Sequence, residues 1–337
     1  MVGGNGRTGS GRRAARAVIR SLTPWQKVLA TRKYIQNRLS GKPMLASIEM
    51  TKHCNAGCDF CDDWKTRYSP RLGDVVDMVR RLHPMVLALT GGEPLLEKRL
   101  PQIIRDVKAS QSFVYVYVVT NGSLLTEARA EELFESGMDQ LSISLNYLDE
   151  RQDAERKLPG LHARIATLVP KLARRGRAVI ANTVIMRDNL DQLVPIARQT
   201  LEWGAQVNYS TYTTFKNGNR SHGLSRDEIA TLRGIVAELI EHRKRYGNIS
   251  NSRFYLERIV RYFADPGGIP GCQAGNRFVQ LTPDGQVRQC ADFAPFVHYT
   301  EYRGMPPTDC TRCWYSCRGE SEAALGLERV VELWRRT

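Results

Sequence analysis

Short apolar runs alternate with longer segments of helical spacing along the middle of the chain. The apolar runs lie at 44–50, 85–90, 114–120, 141–145, 178–186 and 206–212. The segments between and after them, at 73–82, 97–110, 126–136, 161–174, 190–203 and 225–246, have apolar residues at the spacing of amphipathic helices. Regular alternation of this kind predicts parallel strands joined by crossover helices. We therefore predict an α/β fold with about six strand–helix units, a partial (β/α)6 TIM-like barrel.

A helix is predicted before the barrel, because Thr23-Pro24 is a typical N-cap and first helical residue. It runs to residue 39, and its pattern separates two groups of side chains. The apolar group is Val28, Leu29, Ile35 and Leu39, and the basic group is Lys27, Arg32, Lys33 and Arg38. Such a helix either packs on the domain or lies with its basic face on anionic lipid.

The remaining boundaries follow from composition and turn signals. Residues 1–22 are rich in Gly and Arg and are predicted to be a disordered basic tail. We assign 23–43 to the N-terminal helix, 44–250 to the barrel, 251–325 to a small cysteine-rich domain and 326–337 to a C-terminal helix. Within the small domain, the segment 278–289 predicts a β-hairpin that turns at Asp284-Gly285.

Composition narrows the class of protein. Of the 337 residues, 42% are hydrophobic and 25% are charged, and no apolar run approaches the length of a membrane-spanning helix. The basic N-terminus has no apolar core of a secretory signal, so we expect a cytoplasmic protein, with contact to the membrane surface as an alternative. The net charge of +14 suits a phosphorylated substrate, nucleic acid or an anionic membrane, but it also serves solubility.

The eight cysteines form an early group of three and a late group of five, which favours metal ligation over disulfides. The early group is Cys54, Cys58 and Cys61, spaced CxxxCxxC. Thiolates on so short a loop can converge on one soft metal centre. Three ligands on a four-iron cube leave one iron open, whereas a structural zinc site takes four ligands. The zinc alternative would be completed by His53 or Asp59.

Polar and glycine motifs follow the predicted strands. Leu89-Thr-Gly-Gly-Glu-Pro94 follows the second strand, Val118-Val-Thr-Asn-Gly122 the third, and Leu141-Ser-Ile-Ser-Leu145 forms the fourth. The C-terminal ends of parallel strands in such barrels meet on one face, where their chemistry is placed. With the CxxxCxxC loop and Phe60 before its last cysteine, the region from about 44 to 215 resembles the radical S-adenosylmethionine (SAM) superfamily.

The resemblance implies a mechanism and a set of cofactor contacts. Cys54, Cys58 and Cys61 would hold a [4Fe-4S] cluster whose open iron binds SAM. One electron, from a donor such as flavodoxin or ferredoxin, would cleave SAM to a 5′-deoxyadenosyl radical that abstracts hydrogen from the substrate. The residues implied to contact SAM or shield the cluster are Phe60, Gly91, Gly92, Glu93, Asn121, Ser144, Asn182 and Arg187.

The late cysteines resemble the SPASM/twitch extension of radical SAM enzymes. Cys272 and Cys290 flank the predicted hairpin, and Cys310, Cys313 and Cys317 follow it. Five cysteines suffice for a second, auxiliary [4Fe-4S] cluster with one thiol to spare, although four thiolates suit zinc equally. A spare thiol among Cys310, Cys313 and Cys317, with Cys317 as the candidate catalytic residue, could return hydrogen to the substrate and give epimerisation. A cluster whose ligands all come from the protein would favour oxidation. Glu320 is a further candidate ligand or base.

Three functions remain open from the sequence. The preferred one is a radical SAM oxidoreductase or epimerase acting on a small, hydroxylated natural product. The second is radical SAM modification of a peptide, a lipid or tRNA, with an anionic membrane or nucleic acid as the partner. The third belongs to another class, a non-catalytic binding protein stabilised by zinc.

Overall fold

The computed structural model describes residues 22–265, 267–306 and 308–323. The predicted basic tail, apart from Leu22, and the predicted helix at 326–337 lie outside these ranges. None of the helices in the described ranges has the length and apolar content needed to traverse a bilayer.

Six parallel strands form the predicted barrel wall. They are β1 (Leu45–Glu49), β2 (Val86–Thr90), β3 (Tyr115–Thr120), β4 (Gln140–Ser144), β5 (Val179–Ile185) and β6 (Gln206–Thr211). Each strand pairs in parallel with the next along the chain, from Leu45 opposite Val86 in the first pair to Ile185 opposite Thr211 in the last. The predicted α/β partial barrel is confirmed.

Helices connect the strands and cover the outside of the barrel. They are α1 (Pro24–Ser40), α2 (Val75–Leu82), α3 (Leu100–Ser110), α4 (Glu127–Glu135), α5 (Arg151–Arg156), α6 (Leu161–Arg174), α7 (Leu193–Trp203), α8 (Arg226–Tyr246), α9 (Arg253–Ala264) and α10 (Ser316–Glu322). The short α5 and α10 and the longer α9 were not predicted. The capping box of α8 is present, since Ser225 and Glu228 bond each other's backbone N–H groups.

The core lies between the barrel wall and its helices. Alternate strand residues such as Leu87, Leu89, Val116 and Val118 are fully buried, because their side chains point outward against the helical layer. Burying each such side chain stabilises the fold by about 1.5–3 kcal/mol. Side chains on the other face of the strands point into the interior of the barrel.

The predicted hairpin joins the barrel sheet. Strands β7 (Phe278–Leu281) and β8 (Gln286–Arg288) are antiparallel, and Gly285 takes the positive φ of +87° that their turn requires. A third strand, β9 (Val297–His298), pairs with β8. Because β7 pairs in parallel with β1, the described residues form one nine-stranded sheet in the order β6-β5-β4-β3-β2-β1-β7-β8-β9.

Helix α1 packs in a way that the apolar pattern did not predict. Lys33 and Asn37 face the barrel and are buried, whereas Val28, Ile35 and Leu39 are exposed. Polar residues of α1 are buried because carbonyl groups at the N-terminal end of the barrel each require a hydrogen-bond donor. The Lys33 Nζ donates to the Phe113 carbonyl at 2.6 Å, and the Asn37 amide donates to two further backbone carbonyls.

A pH-dependent contribution to stability is expected from Lys33. Burial lowers its pKa to about 8 in the folded protein, from 10.5 when unfolded. Between these values the unfolded chain binds more protons than the folded one, so stability rises with pH. Urea unfolding should therefore show wild type gaining stability over Lys33→Met from pH 8 to pH 10. The exposed Arg32→Met control should show no such trend, and a flat difference for Lys33→Met would contradict the assignment.

Candidate active site

The early cysteine loop follows β1, at the end of the barrel where the strands finish. Cys54 and Cys61 are partly exposed and Cys58 is buried. The Cys58 carbonyl accepts from the Cys61 amide at 3.3 Å and from the Trp64 indole at 3.0 Å, which keeps the loop tight. No group of three or more His, Cys, Asp or Glu side chains in the described part of the chain has the geometry of a single-ion site.

Gly91 and Gly92, after β2, lie directly against the start of this loop. The amides of Gly92 and Glu93 donate to the carbonyls of Thr51 and His53, each at 2.8 Å. A Cβ atom on Gly91 would lie 2.4 Å from the Thr51 oxygen, and one on Gly92 would lie 2.0 Å from the His53 oxygen. Only glycine permits this backbone contact, so the pair positions the cysteine loop.

We expect Gly92→Ala to impair cluster binding. The added Cβ would push the His53 carbonyl away and displace the loop that carries Cys54. Iron content after anaerobic reconstitution should fall while the far-UV circular dichroism stays close to wild type. Gly234→Ala is a matched control, since nothing lies within 4 Å of a Cβ there. Equal iron in Gly92→Ala and wild type would contradict the role of this contact.

Glu93 is a fully buried carboxylate that connects two strand ends. Its oxygens accept from the Thr120 hydroxyl at 2.6 Å and from the amides of Asn121 and Leu95 at 2.9 and 3.1 Å. Burial raises the pKa of Glu93, and these hydrogen bonds oppose the shift by stabilising the charged form.

Asn121 links the end of β3 to the cysteine loop. Its side-chain amide donates to the Asn55 oxygen at 2.9 Å, and the Asn55 amide donates to the Ser123 hydroxyl at 2.8 Å. Asn55 was not predicted as a site residue. Glycines, carboxylate and amides therefore converge on the loop, as strand-end motifs in a parallel barrel should.

Two cationic side chains lie beside the early cysteines and were not predicted as site residues. A guanidinium nitrogen of Arg156, on α5, lies 3.5 Å from the Cys58 sulfur, and its carbon lies 5.4 Å from the Phe60 ring centre. Lys216, in the loop after β6, lies 3.4 Å from Asp63, which itself contacts Cys61. Burial raises the pKa values of Cys58 and Cys61, and these two cations oppose the shift. No motif marks either residue, although both follow predicted strands.

The other predicted residues are dispersed. Ser144 ends β4 and pairs in register with Asn182 of β5, so these two lie together. Arg187 is on the surface, where its guanidinium forms an ion pair with Glu228 at 3.0 Å. Phe60 packs edge-on toward the His222 ring, 6.4 Å away, as well as against Arg156.

The late cysteines come together beside β7. Cys272 forms a small buried cluster with Ala274 and Phe278, and Cys290, Cys310 and Cys317 pack against this cluster. Cys313 is buried close to Cys290 and Cys317. Burial raises the pKa of Cys290 to about 12, and Cys317 and Cys272 are close enough to add to the shift. The hairpin thus brings thiols from three parts of the chain to one place.

Helix α10 lies across the open side of the barrel. It contacts β6 through Ser316, whose amide donates to the Ser210 hydroxyl at 3.3 Å and whose hydroxyl accepts from Asn208 at 3.3 Å. Near its other end, the Ser321 carbonyl accepts from Arg277, which precedes β7. A single helix therefore connects β6 with the segment that precedes β7.

A cavity of about 1060 Å³ occupies the barrel interior. One wall, from β4 to β6, carries hydroxyls and amides: Gln140, Ser142, Asn182, Asn208 and Ser210. The opposite wall, from β1 to β3, is apolar and aromatic: Leu45, Val86, Tyr115, Tyr117 and Val119. We call this space the lumen.

Both predicted catalytic residues of α10 line the lumen. Cys317 is close enough to Tyr117 to raise the pKa of that phenol, after burial as the main cause. The Glu320 carboxylate accepts from the Ser252 amide at the start of α9, 2.7 Å away. Cys317 therefore belongs to both the late cysteine group and the lumen wall, which sequence spacing could not reveal.

Residues 48–199, which include the early cysteines and every strand from β2 to β5, match the sequence family described as the Radical SAM superfamily. The chain contains a radical SAM domain. The family uses a [4Fe-4S] cluster and SAM, so the predicted cofactors of the barrel are confirmed.

The curated relatives of this chain have different activities. A probable GTP 3′,8-cyclase of Sulfurisphaera tokodaii is 27% identical over 256 residues, covering 72% of this chain and 79% of the relative. A PqqA peptide cyclase of Granulibacter bethesdensis is 26% identical over 330 residues, covering 84% of each. The relatives therefore support a radical SAM enzyme without deciding its substrate.

The fold also matches solved structures. Streptococcus suis SuiB bound to its precursor peptide SuiA aligns with a TM-score of 0.62, at 15% identity, over 83% of this chain and 69% of SuiB. At this level of identity the likeness extends to the fold alone.

Proposed function

We propose that this radical SAM enzyme abstracts a hydrogen atom from a small, hydroxylated substrate bound in the lumen, leading to oxidation or epimerisation. The observation that carries the proposal is the wall of amides and hydroxyls from β4 to β6 facing an aromatic wall. Polar groups of this kind orient hydroxylated ligands, and the opposite wall packs their apolar faces.

The residues of the cysteine loop fit the implied cluster. Three thiols share one short loop, and Arg156 and Lys216 supply positive charge beside two of them. Such charge stabilises the thiolate form that metal ligation requires. When bound, the cluster and SAM supply an electron-driven cleavage that yields the radical oxidant.

The chain's own groups would hold SAM at the strand ends. Glu93 offers carboxylate oxygens to the SAM ammonium, although its present partners are Thr120, Asn121 and Leu95. Ser144 and Asn182 lie next to each other at the end of β4 and offer groups to the ribose or carboxylate. Gly91 and Gly92 keep the backbone close, and Phe60 shields the cluster.

The late cysteines are proposed to hold an auxiliary [4Fe-4S] cluster. Cys272 forms a small cluster with Ala274 and Phe278, and three further thiols, Cys290, Cys310 and Cys317, pack against that cluster. The fifth thiol, Cys313, is close to Cys290 and Cys317. If Cys317 is a ligand, the cluster can accept an electron and the reaction is an oxidation. If it is the spare thiol, its position in the lumen suits hydrogen return and epimerisation. Glu320 then remains a candidate base.

Peptide modification is the second candidate function. It is favoured by the PqqA peptide cyclase relative, which covers 84% of this chain. Both candidate functions require an electron donor such as flavodoxin or ferredoxin. We expect either reaction to take place in the cytoplasm.

The test is a 5′-deoxyadenosine assay on anaerobically reconstituted protein with a chemical reductant. We expect a low basal rate, stimulated by hydroxylated small molecules, with deuterium passing from a labelled substrate into 5′-deoxyadenosine. Stimulation by peptides alone would favour the second candidate. Zinc in place of iron, with no cleavage, would overturn the proposal and favour a zinc-stabilised binding protein.

A further inference from the structure

Two arginines meet at the end of the lumen that is remote from the cysteine loop. Arg277 immediately precedes β7, which runs parallel to β1, so it lies at the N-terminal edge of the sheet. Arg38 reaches the same edge from α1. Both side chains line the lumen.

The arginines are close together without a full set of partners. Burial lowers the pKa of Arg277, and the nearby charge of Arg38 lowers it further. The Arg277 Nε is buried and has no hydrogen-bond partner within the described ranges, although another guanidinium nitrogen donates to Ser321. Arg38 has no hydrogen-bond or ion-pair partner among the residues that the structure describes. Arg38 is exposed and Arg277 is half-buried, and the two like charges repel each other unless an anion joins them.

Carboxylates of α10 near this end are already engaged. Glu322 is the acidic neighbour of Arg277, but its Oε1 accepts from Arg318 Nε at 2.7 Å. Glu320 accepts from the Ser252 amide. Among the described residues, Arg277 therefore shares its acidic neighbour Glu322 with Arg318, and no carboxylate is paired with Arg38.

We propose that the substrate carries an oxyanion, a phosphate or a carboxylate, which Arg38 and Arg277 bind at this end of the lumen. The inference rests on the proposed function, since it assumes that the lumen holds the substrate. Guanidinium groups present several N–H donors in a plane and match the oxygens of phosphate or carboxylate.

The position of this oxyanion site also sets the size of the substrate. The five residues of β1 separate it from the cysteine loop, which corresponds to roughly 16 Å at the usual rise per strand residue. A molecule that spans this distance places its hydroxylated part against the polar wall of β4 to β6. The substrate class is therefore an elongated, hydroxylated anion.

The test is calorimetric titration of the reconstituted full chain with inorganic phosphate, inorganic pyrophosphate and acetate. We expect one of these anions to bind wild type, and Arg38→Gln and Arg277→Gln to weaken that binding by about ten-fold or more, equivalent to about 1.4 kcal/mol. Arg32→Gln is the matched control, because Arg32 is exposed on the same helix and does not line the lumen. Preference for phosphate or pyrophosphate indicates a phosphorylated substrate, and preference for acetate indicates a carboxylate.

Two outcomes would overturn the oxyanion site: no binding by any of the three anions, or equal weakening in the Arg32→Gln control. Arg277→Gln removes the hydrogen bond to Ser321 of α10 as well. Arg38 has no hydrogen bond to α10 in the described part of the chain, so the result for Arg38→Gln decides whether the oxyanion site exists. Basal SAM cleavage is measured on the same preparations. Cleavage without anion binding refutes only this site, whereas anion binding without cleavage refutes the proposed function.

Discussion

Replacing Cys54, Cys58 and Cys61 together by alanine is expected to abolish SAM cleavage and to remove about half of the iron, because a [4Fe-4S] cluster depends on its cysteine thiolates. The three thiols are the only cysteines on the loop that Gly91, Gly92 and Asn121 hold at the strand ends. The measurements are 5′-deoxyadenosine formation under reductant and iron content per chain.

A matched variant controls for the loss of three thiols. Replacing Cys290, Cys310 and Cys313 by alanine removes the same number of sulfur atoms at the other cysteine group. It should leave basal SAM cleavage while lowering iron. Cleavage that survived in the early triple variant would show that the cluster of the radical SAM domain is not where we place it.

The second large effect is expected from the late cysteines. We expect about eight irons per wild-type chain, as two four-iron clusters require, and about four in Cys272→Ala/Cys290→Ala. Cys272 precedes β7 and Cys290 follows β8, and Cys290 packs against the small apolar cluster that Cys272 forms with Ala274 and Phe278. Basal SAM cleavage should persist in this double variant, since the early loop is intact.

Wild type with about four irons and one zinc would contradict the auxiliary cluster, because it would make the late group a zinc site. Cys317→Ser distinguishes whether Cys317 is a ligand of the auxiliary cluster or a hydrogen-atom donor to the substrate. If Cys317 is a ligand, the variant loses about four irons. If it is a hydrogen donor, iron stays at about eight and turnover in deuterated water no longer places deuterium in the product.

Much of the fold was predictable because its signals are local. The strand–helix alternation gave six parallel strands in chain order, and α6 runs from Leu161 to Arg174 as predicted. Capping at Thr23 and Ser225 depends on side chains three residues apart. The early site was predictable for a related reason, since strand order places successive motifs on one face of a parallel barrel.

Other features depend on contacts between distant parts of the chain. Arg156 reaches Cys58 across 98 positions, and Lys33 reaches the Phe113 carbonyl across 80. No periodicity predicts that a lysine is buried while Ile35 and Leu39 are exposed. The burial follows from unpaired carbonyls on another segment, which the sequence does not display.

The sequence by itself determined the barrel, the cysteine loop and the turn of the hairpin, because each follows from spacing within a few residues. Only the tertiary structure decided that β7 pairs with β1, that Cys317 of α10 lines the lumen, and that Arg38 meets Arg277. These arrangements depend on which surfaces are left unpaired once the barrel has formed. Unpaired backbone groups at a sheet edge form hydrogen bonds with a further strand, and buried carbonyls accept from a donor side chain. Which strand or side chain lies there depends on how the whole chain packs.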